Sequence, residues 1–158
     1  MTSKPPLAVL AREVAADPIR SRTPEPFFSR LQGREKRRLG DAFGLHNFGV
    51  NLTVLDPGGM SALLHRHKSQ DEFIYVLEGE STLVTDRGDV PLRPGMCAGF
   101  PAGGVAHQLV NRTDAPVTYL EVGDRTAGDE ATYPNDDLKA AQEEGGRWVL
   151  THKDGGPY

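Results

Sequence analysis

Cysteine is nearly absent from this sequence, which has a single one, Cys97, among 158 residues. One thiol cannot form an intramolecular disulfide, and a cysteine-based zinc site needs several. The neighbours of Cys97 are small or apolar, which predicts a buried structural thiol rather than a nucleophile. This usage is typical of a reducing compartment, and we expect a cytoplasmic protein.

The chain also lacks an excess of positive charge, since it has 18 lysines and arginines, 22 aspartates and glutamates, and a net charge of −4. That balance offers no electrostatic footprint for a polyanion, and no helix-turn-helix pattern is visible. We therefore expect no nucleic-acid partner. The local exception is the basic run at residues 34–38, which we interpret as a solvated sheet edge or a subunit contact, with a phosphate contact as the alternative.

Long apolar segments are missing as well. Near the start of the chain, Arg12 interrupts the apolar stretch before it reaches the length of a signal-peptide core. Residues 94–111 carry no acid, lysine or arginine, but they are too rich in glycine, proline and polar groups for a membrane helix. No membrane partner is expected.

Short apolar runs separated by turn residues are what the sequence does contain, with 18 glycines and 12 prolines spread between them. From Phe48 to Val54 apolar residues alternate with polar ones such as Asn51 and Thr53, which predicts a half-buried strand with its apolar face inward. About eight such runs follow without a helical period between them. This pattern favours an antiparallel barrel or sandwich, since a parallel sheet needs crossover helices.

The chain length suits one domain with three segments. Residues 1–33 are rich in proline and predict an arm that wraps over the core. Residues 34–123 hold the predicted strands and form the barrel domain. Residues 124–158 are a polar tail in which DDLKAAQEE indicates one turn of helix, and Trp148 offers an apolar anchor for docking on the barrel.

Two histidines in the run HRHKSQDEF stand at metal-ligand spacing. His65 and His67 lie on one face of a predicted strand, and a turn after them starts a new strand at Glu72 beside the old one. His107 begins another strand and offers a fourth ligand. A His-x-His pair also occurs by chance in polar loops of many soluble proteins. Inward positions next to these four residues are apolar: Leu63, Ile74, Val76 and Leu109.

The joint spacing of these residues resembles the cupin superfamily of small β-barrels. The first cupin motif, Gly-x5-His-x-His-x3 or x4-Glu-x6-Gly, is matched at every fixed position by Gly59, His65, His67, Glu72 and Gly79. The second motif, with one extra residue between its proline and its histidine, is matched by Gly95, Pro101, His107 and Asn111. The two motifs span residues 59–111, and the flanking strands extend the resemblance to roughly 40–123.

The resemblance implies an all-β fold, an antiparallel double-stranded β-helix or jelly-roll barrel. It further implies that His65, His67, Glu72 and His107 bind one divalent metal ion inside the barrel, against the pocket wall of Leu63, Ile74, Val76 and Leu109. Three imidazoles and a carboxylate suit Fe, Mn, Ni, Zn or Cu without distinguishing among them. Asp71 is expected as a reserve ligand or as the partner of a ring N–H.

A metal ion with open positions favours small oxygen-rich ligands. We therefore expect a metal-dependent enzyme of lyase, isomerase or dioxygenase type acting on a small molecule. The alternative is a non-catalytic binding or sensor protein with the same cavity. Outward-facing Phe73, Tyr75 and Leu77 form an apolar stripe that the tail or a second subunit covers, and the resemblance favours a homodimer.

Overall fold

The computed structural model describes residues 4–17 and 23–158, and most regular structure in these ranges is β-strand. The thirteen strands of the described residues are β1 Ala16–Asp17, β2 Arg34–Arg38, β3 Phe48–Leu55, β4 Arg66–His67, β5 Glu72–Glu78, β6 Ser81–Thr85, β7 Gly88–Leu92, β8 Cys97–Phe100, β9 His107–Val110, β10 Val117–Asp124, β11 Glu130–Thr132, β12 Lys139–Gln142 and β13 Trp148–Thr151. The helical segments are a 3-10 turn, Ala11–Glu13, and two α-helices, α1 Phe27–Arg30 and α2 Leu39–Ala42. Within the described ranges no helix has the length and apolarity needed to cross a membrane.

The strands form antiparallel sheets in three groups. A six-stranded sheet has the order β1-β2-β3-β10-β5-β8, a three-stranded sheet the order β7-β6-β9, and a four-stranded sheet the order β13-β12-β11-β4. The first two sheets share one core, which is built from Leu55, Ile74, Val76, Leu83, Leu92, Phe100, Leu109, Val117 and Tyr119. The prediction of an all-β jelly-roll fold is confirmed.

In β3 the inward face is the opposite of the predicted one. Thr53 and Leu55 are fully buried, whereas Phe48 is 43% exposed. The cause lies in β10, where Glu121 receives hydrogen bonds from Asn51 and Thr53. A carboxylate removed from water needs such donors. The polar side of β3 therefore faces the interior, and its apolar side faces outward.

This reversal makes the outer face of the six-stranded sheet broadly apolar. Phe73, Tyr75 and Leu77 project from it as predicted and remain 43%, 40% and 39% exposed. Cross-strand pairing aligns them with outward residues of β10 and β3. We call this surface the outer apolar face, and its members are Phe48, Val50, Leu52, Phe73, Tyr75, Leu77, Leu120 and Val122. The C-terminal tail pairs with β4 instead, so the first of the two expected covers, the tail with Trp148, is wrong, and a second subunit stays a prediction.

Cys97 lies at the border of the outer apolar face. It pairs with Tyr75 at the start of the edge strand β8, and its side chain is exposed. The prediction of a buried thiol is therefore wrong. Its small and apolar neighbours do not bury it, because strand alternation turns Met96 toward the core and Cys97 outward.

The tail consists of strands where one helical turn was predicted. Residues Lys139–Gln142 form β12, which pairs with β11 and β13. Leu138 and Ala140 are buried, 1% and 3% exposed, so burial of alternate residues overrides the helical preference of this stretch. Strand β11 pairs with β4, with Ala131 opposite His67, and this pairing docks the tail beside the predicted ligands.

The arm predicted at residues 1–33 lies partly outside the described residues. Its described part contributes β1, which pairs with β2, and β2 in turn pairs with β3. Phe27 and Leu31 bury themselves with Leu63 and Leu138 in a second apolar cluster. The arm is thus joined to both the large sheet and the tail.

Two motif residues shape the turns between strands. Gly79 adopts a φ of 75°, and a β-carbon there would collide with the carbonyl of Pro116, which explains the need for glycine. Asn111 is fully buried. Its amide nitrogen donates to the carbonyls of Leu55 and Ala115, and its side-chain oxygen accepts from the N–H and hydroxyl of Thr113. It therefore holds the β9–β10 turn against the end of β3.

Replacing Asn111 by alanine should lower the free energy of unfolding by roughly 2–4 kcal/mol, because several buried groups lose their partners at once. Urea denaturation followed by circular dichroism measures this loss. The matched control is Asn135→Ala at an exposed position, which should change stability by less than about 0.5 kcal/mol. Equal stability of the two variants would contradict the structural role of Asn111.

Candidate metal centre

The four predicted ligands come from β4, β5 and β9, which belong to three different sheets, and from the segment before β4. His65 forms an isolated antiparallel bridge with His107, whose backbone N–H donates to the carbonyl of His65 at 2.8 Å. His67 lies in β4, and Glu72 begins β5. The extra residue in the second motif is absorbed by the turn at residues 101–104, where Gly103 donates its N–H to the carbonyl of His67. His107 therefore reaches the same place despite the insertion.

The side chains of these four residues meet at one carboxylate oxygen. Nε2 of His65, His67 and His107 lie 3.6, 3.5 and 2.9 Å from Oε2 of Glu72. Ligand atoms of His65, His67 and Glu72 all lie within 4.8 Å of one another, close enough to share one metal ion. His107 joins them through its contact with Glu72.

The other ring nitrogen of each histidine faces an oxygen acceptor. Nδ1 of His65 lies 2.8 Å from the carbonyl of Leu63, and Nδ1 of His107 lies 3.3 Å from the carbonyl of Val105. Nδ1 of His67 lies 2.5 Å from Oδ2 of Asp129. An acceptor at Nδ1 holds a ring proton there, so Nε2 is the nitrogen that is able to release its proton and bind a metal ion. The donor set therefore fits a divalent transition metal.

Asp129 takes the role that was predicted for Asp71. Asp129 is fully buried and also accepts the backbone N–H of Ser69 at 2.7 Å. Asp71 instead accepts the backbone N–H of Ala102. Adjacency to Glu72 suggested Asp71, but the pairing of β11 with β4 brings a tail residue to the ring. No local sequence signal marks Asp129, which lies in a polar loop.

Aromatic rings restrict the orientation of the imidazoles. Phe100 stacks on His107 with ring centroids 3.5 Å apart and planes within 3°. Tyr133 stacks on His65 and Trp148 meets the edge of His67, both at 5.9 Å. Burial raises the pKa of Tyr133 to about 12, so its hydroxyl stays neutral. These contacts cover part of each ring and restrict its orientation.

Glu72 is held as a carboxylate. Burial raises its pKa, but hydrogen bonds from His107 and His65 and the charge of the imidazoles outweigh burial and bring the pKa well below its ordinary value. An ionised oxygen at the centre of three nitrogens is the state in which a carboxylate ligates a metal.

A cavity of about 220 Å³ opens beside the four residues, lined by Arg34, Lys36, Ser61, Ala62, His65, His67, Glu72, Phe73, Ile74, Phe100, His107, Leu109, Tyr119 and Glu121. Of the predicted pocket wall, Ile74 and Leu109 line it. Leu63 instead packs in the second apolar cluster with the arm and tail, and Val76 lies in the main core. Leu63 faces away because the backbone before β4 is not a regular strand.

The inward face of the six-stranded sheet gives the cavity a polar wall, which sequence reasoning missed. Glu121 pairs with Lys36 and accepts hydrogen bonds from Asn51 at 2.9 Å and from Thr53 and Tyr119 at 3.3 Å. Burial raises the pKa of Glu121, but Lys36 more than compensates and lowers it below its usual value. Burial and the nearby Glu121 raise the pKa of Tyr119 well above its usual value.

The basic run at residues 34–38 supplies part of this wall. Its period of two places Arg34 and Lys36 opposite the inward residues Leu55 and Thr53 of β3. The interpretation of the whole run as a solvated edge or subunit contact is therefore wrong for these two residues. The alternation of the run was the available signal, but charge alone suggested solvent.

Comparison with known proteins agrees with this fold. The cupin domain family model matches residues 51–123. A crystal structure of a sugar phosphate isomerase of the cupin superfamily from Silicibacter pomeroyi is 49% identical, covers 87% of this chain and 88% of that one, and superimposes with a TM-score of 0.82. The chain belongs to the cupin superfamily.

Two further relatives differ in how much they share. A protein assigned as a sugar phosphate isomerase from Acidithiobacillus ferrooxidans is 33% identical over 77% of each chain, with a TM-score of 0.71. The oxalate-binding protein of Thermotoga maritima is 33% identical over 67 residues, which are 42% of this chain and 54% of that protein. The match thus spans about half the length of this curated relative.

Changing Asp129 to asparagine should weaken metal binding by roughly 10–100-fold. Asparagine keeps an oxygen for Ser69 but presents N–H to Nδ1 of His67, so the ring proton moves to Nε2 and blocks its lone pair. Competition with a chromogenic zinc chelator measures the affinity. Asp137→Asn is the matched control, because Asp137 contacts Nδ1 of His152 far from the cavity. An affinity of Asp129→Asn within twofold of the unaltered protein would contradict this role.

Proposed function

We propose that this protein is a metal-dependent isomerase of a small, oxygen-rich sugar derivative, with a phosphorylated sugar as the substrate class. The observation that carries the proposal is the convergence of three imidazole Nε2 atoms on Oε2 of Glu72 at the wall of a cavity. The likeness to two proteins named as sugar phosphate isomerases, across most of the chain, supports this reaction class over lyase or dioxygenase chemistry.

In this proposal His65, His67, Glu72 and His107 hold one divalent ion. The ion supplies a Lewis acid that polarises a substrate carbonyl or hydroxyl oxygen. Asp129 orients the ring of His67, and Phe100 keeps water from the face of His107. Ile74 and Leu109 line the apolar part of the cavity and limit the size of the ligand.

In isomerisation by proton transfer, a base removes a proton from the carbon next to the carbonyl and returns one to the carbonyl carbon, while the hydroxyl proton moves to the former carbonyl oxygen. The polar wall has groups suited to the carbon-to-carbon transfer. Glu121 lines the cavity as a carboxylate, which is able to accept a proton, although its lowered pKa makes it a weaker base than an ordinary glutamate. The raised pKa of Tyr119 keeps its hydroxyl protonated, so it is able to donate a hydrogen bond. We propose Glu121 as the proton acceptor, with Lys36 and Tyr119 setting its position.

The second candidate is a non-catalytic binder of a small acid with the same cavity. The match to the oxalate-binding protein of Thermotoga maritima favours it, although that match covers only about half of each chain. In this case the metal and the polar wall bind the ligand and return it unchanged.

Turnover separates the two candidates. Metal-loaded protein should convert members of a panel of aldose and ketose phosphates in D2O, with deuterium appearing at the carbon that exchanges its proton, as read by NMR. His67→Ala should lose metal and turnover together. Glu121→Gln should keep its metal content but lose at least about 100-fold in kcat, the usual contribution of a positioned base.

Three outcomes would decide against parts of this proposal. Saturable binding across the panel without product would favour the non-catalytic binder. Full turnover by a His67→Ala variant that has lost its metal would remove the metal centre from the reaction. Unchanged kcat in Glu121→Gln would assign proton transfer to another group.

We also propose that two copies of the chain associate through the outer apolar face. Apolar side chains about 40% exposed on neighbouring strands favour a partner that covers them. The face is self-complementary in chemistry, as an isologous dimer requires. Cys97 at its border is a natural reporter, since the chain has a single cysteine.

Light scattering should give twice the chain mass for the unaltered protein, and Tyr75→Lys should shift it toward the monomer by placing a charge in the contact. Alkylation of Cys97 should be several-fold faster in Tyr75→Lys. Val90→Lys is the control, because Val90 is equally exposed but lies on β7. A monomeric unaltered protein at micromolar concentration would rule out the dimer.

A further inference from the structure

Arg34 stands out among the cations of the cavity by its lack of a counter-charge. Arg37 and Arg66, also half-buried, pair with Glu35 and Asp86 at 2.6 and 2.9 Å. Lys36, the other cavity cation, pairs with Glu121. Within residues 4–17 and 23–158, Arg34 has no carboxylate within salt-bridge distance.

The guanidinium of Arg34 also has unused hydrogen-bond donors. Its Nη1 donates to the carbonyl of Ser61, which anchors one side of the group. Its Nε is buried and finds no acceptor among the residues that the structure describes. A guanidinium carries five N–H donors in a planar fork. A half-buried cation with neither an anion nor a full set of acceptors is unfavourable, which indicates that a ligand completes it.

The balance of charge in the cavity points to the same ligand chemistry. The cations Arg34 and Lys36 are matched by the carboxylates Glu72 and Glu121. A bound divalent ion would leave the cavity positive, and a positive cleft attracts anions. Because Lys36 is already neutralised by Glu121, the excess charge is located at Arg34 and at the metal centre.

We propose that Arg34 binds the anionic group of the substrate while the metal centre holds its reacting oxygens. This assignment rests on the proposed function and names its substrate class: a small molecule with a phosphate or carboxylate at one end. Both groups offer two oxygens to the guanidinium fork, the geometry that arginine binds most strongly. A cavity of about 220 Å³ is smaller than pockets for drug-sized ligands, so one small molecule spans both ends.

The side-chain Nε–H resonance of Arg34 provides a direct test in 15N-labelled protein. We expect inorganic phosphate to shift it saturably in both metal-free and zinc-loaded protein, and oxalate to do the same if a carboxylate serves equally well. A shift with phosphate alone identifies a phosphate site, and a shift with oxalate alone identifies a carboxylate site. Glucose, which lacks an anionic group, should leave the resonance unchanged.

Substitutions of Arg34 and Arg37 measure how much each side chain contributes to anion affinity. Arg34→Gln should weaken the binding of the effective anion by roughly 10–100-fold, the loss expected for a charge-assisted hydrogen bond. Arg37→Gln is the matched control, since it lies on the same strand and faces away from the cavity, and it should leave affinity unchanged. Both variants should retain full zinc content. If Arg34→Gln does not fold, the resonance that disappears in Arg34→Lys is assigned to Arg34. The anion-induced shift of that resonance in the unaltered protein then decides whether Arg34 binds the anion.

The outcomes separate this inference from the proposed function. An Arg34 resonance that ignores both anions, shifts without saturating or responds equally to glucose would overturn the role of Arg34, even in a protein that binds zinc. Conversely, a saturable shift in a chain that binds no metal would keep the anion site and reject the metal-dependent reaction.

Discussion

The backbone bridge between His65 and His107 is the constraint on which the site depends. It joins two segments about forty residues apart in the chain and places both imidazoles over the strand that begins with Glu72. Once these backbones pair, alternation along each strand leaves the side chains little choice of direction. The candidate metal centre is therefore a product of sheet register, and a shift of one residue would turn each of its side chains to the other side.

Segments outside the cupin motifs contribute further side chains to the candidate site. The tail places Asp129 beside Nδ1 of His67, and β2 places Arg34 and Lys36 at the cavity. Fold-level likeness does not select a reaction, and the four ligands alone are compatible with several. The polar wall of the cavity is built from residues that the motif spacing does not involve, and it is the part of the site that the motifs do not prescribe.

Sequence reasoning predicted the strands and the meeting of His65 with Glu72, because both follow from a period of two and from spacing within the motifs. It failed where the outcome depends on which of two faces is buried. Thr53 is inward because Glu121 on another strand needs donors, and that partner is invisible in the local pattern. Asp129 was missed for the same reason, since a contact across sixty residues depends on how the tail pairs.

Charged side chains in the interior cost folding free energy, which raises the question of why they are there. Ion pairs withdrawn from water rarely stabilise a protein more than apolar residues of the same size would, and the pair of Lys36 with Glu121 is half-buried. A barrel of this kind can fill its interior with apolar residues, as the core cluster that includes Leu55 and Val117 does here. Arg34, Lys36 and Glu121 gather on one wall of the cavity, and Arg34 has no counter-charge among the described residues. Binding of a ligand explains this arrangement better than the stability of the fold does.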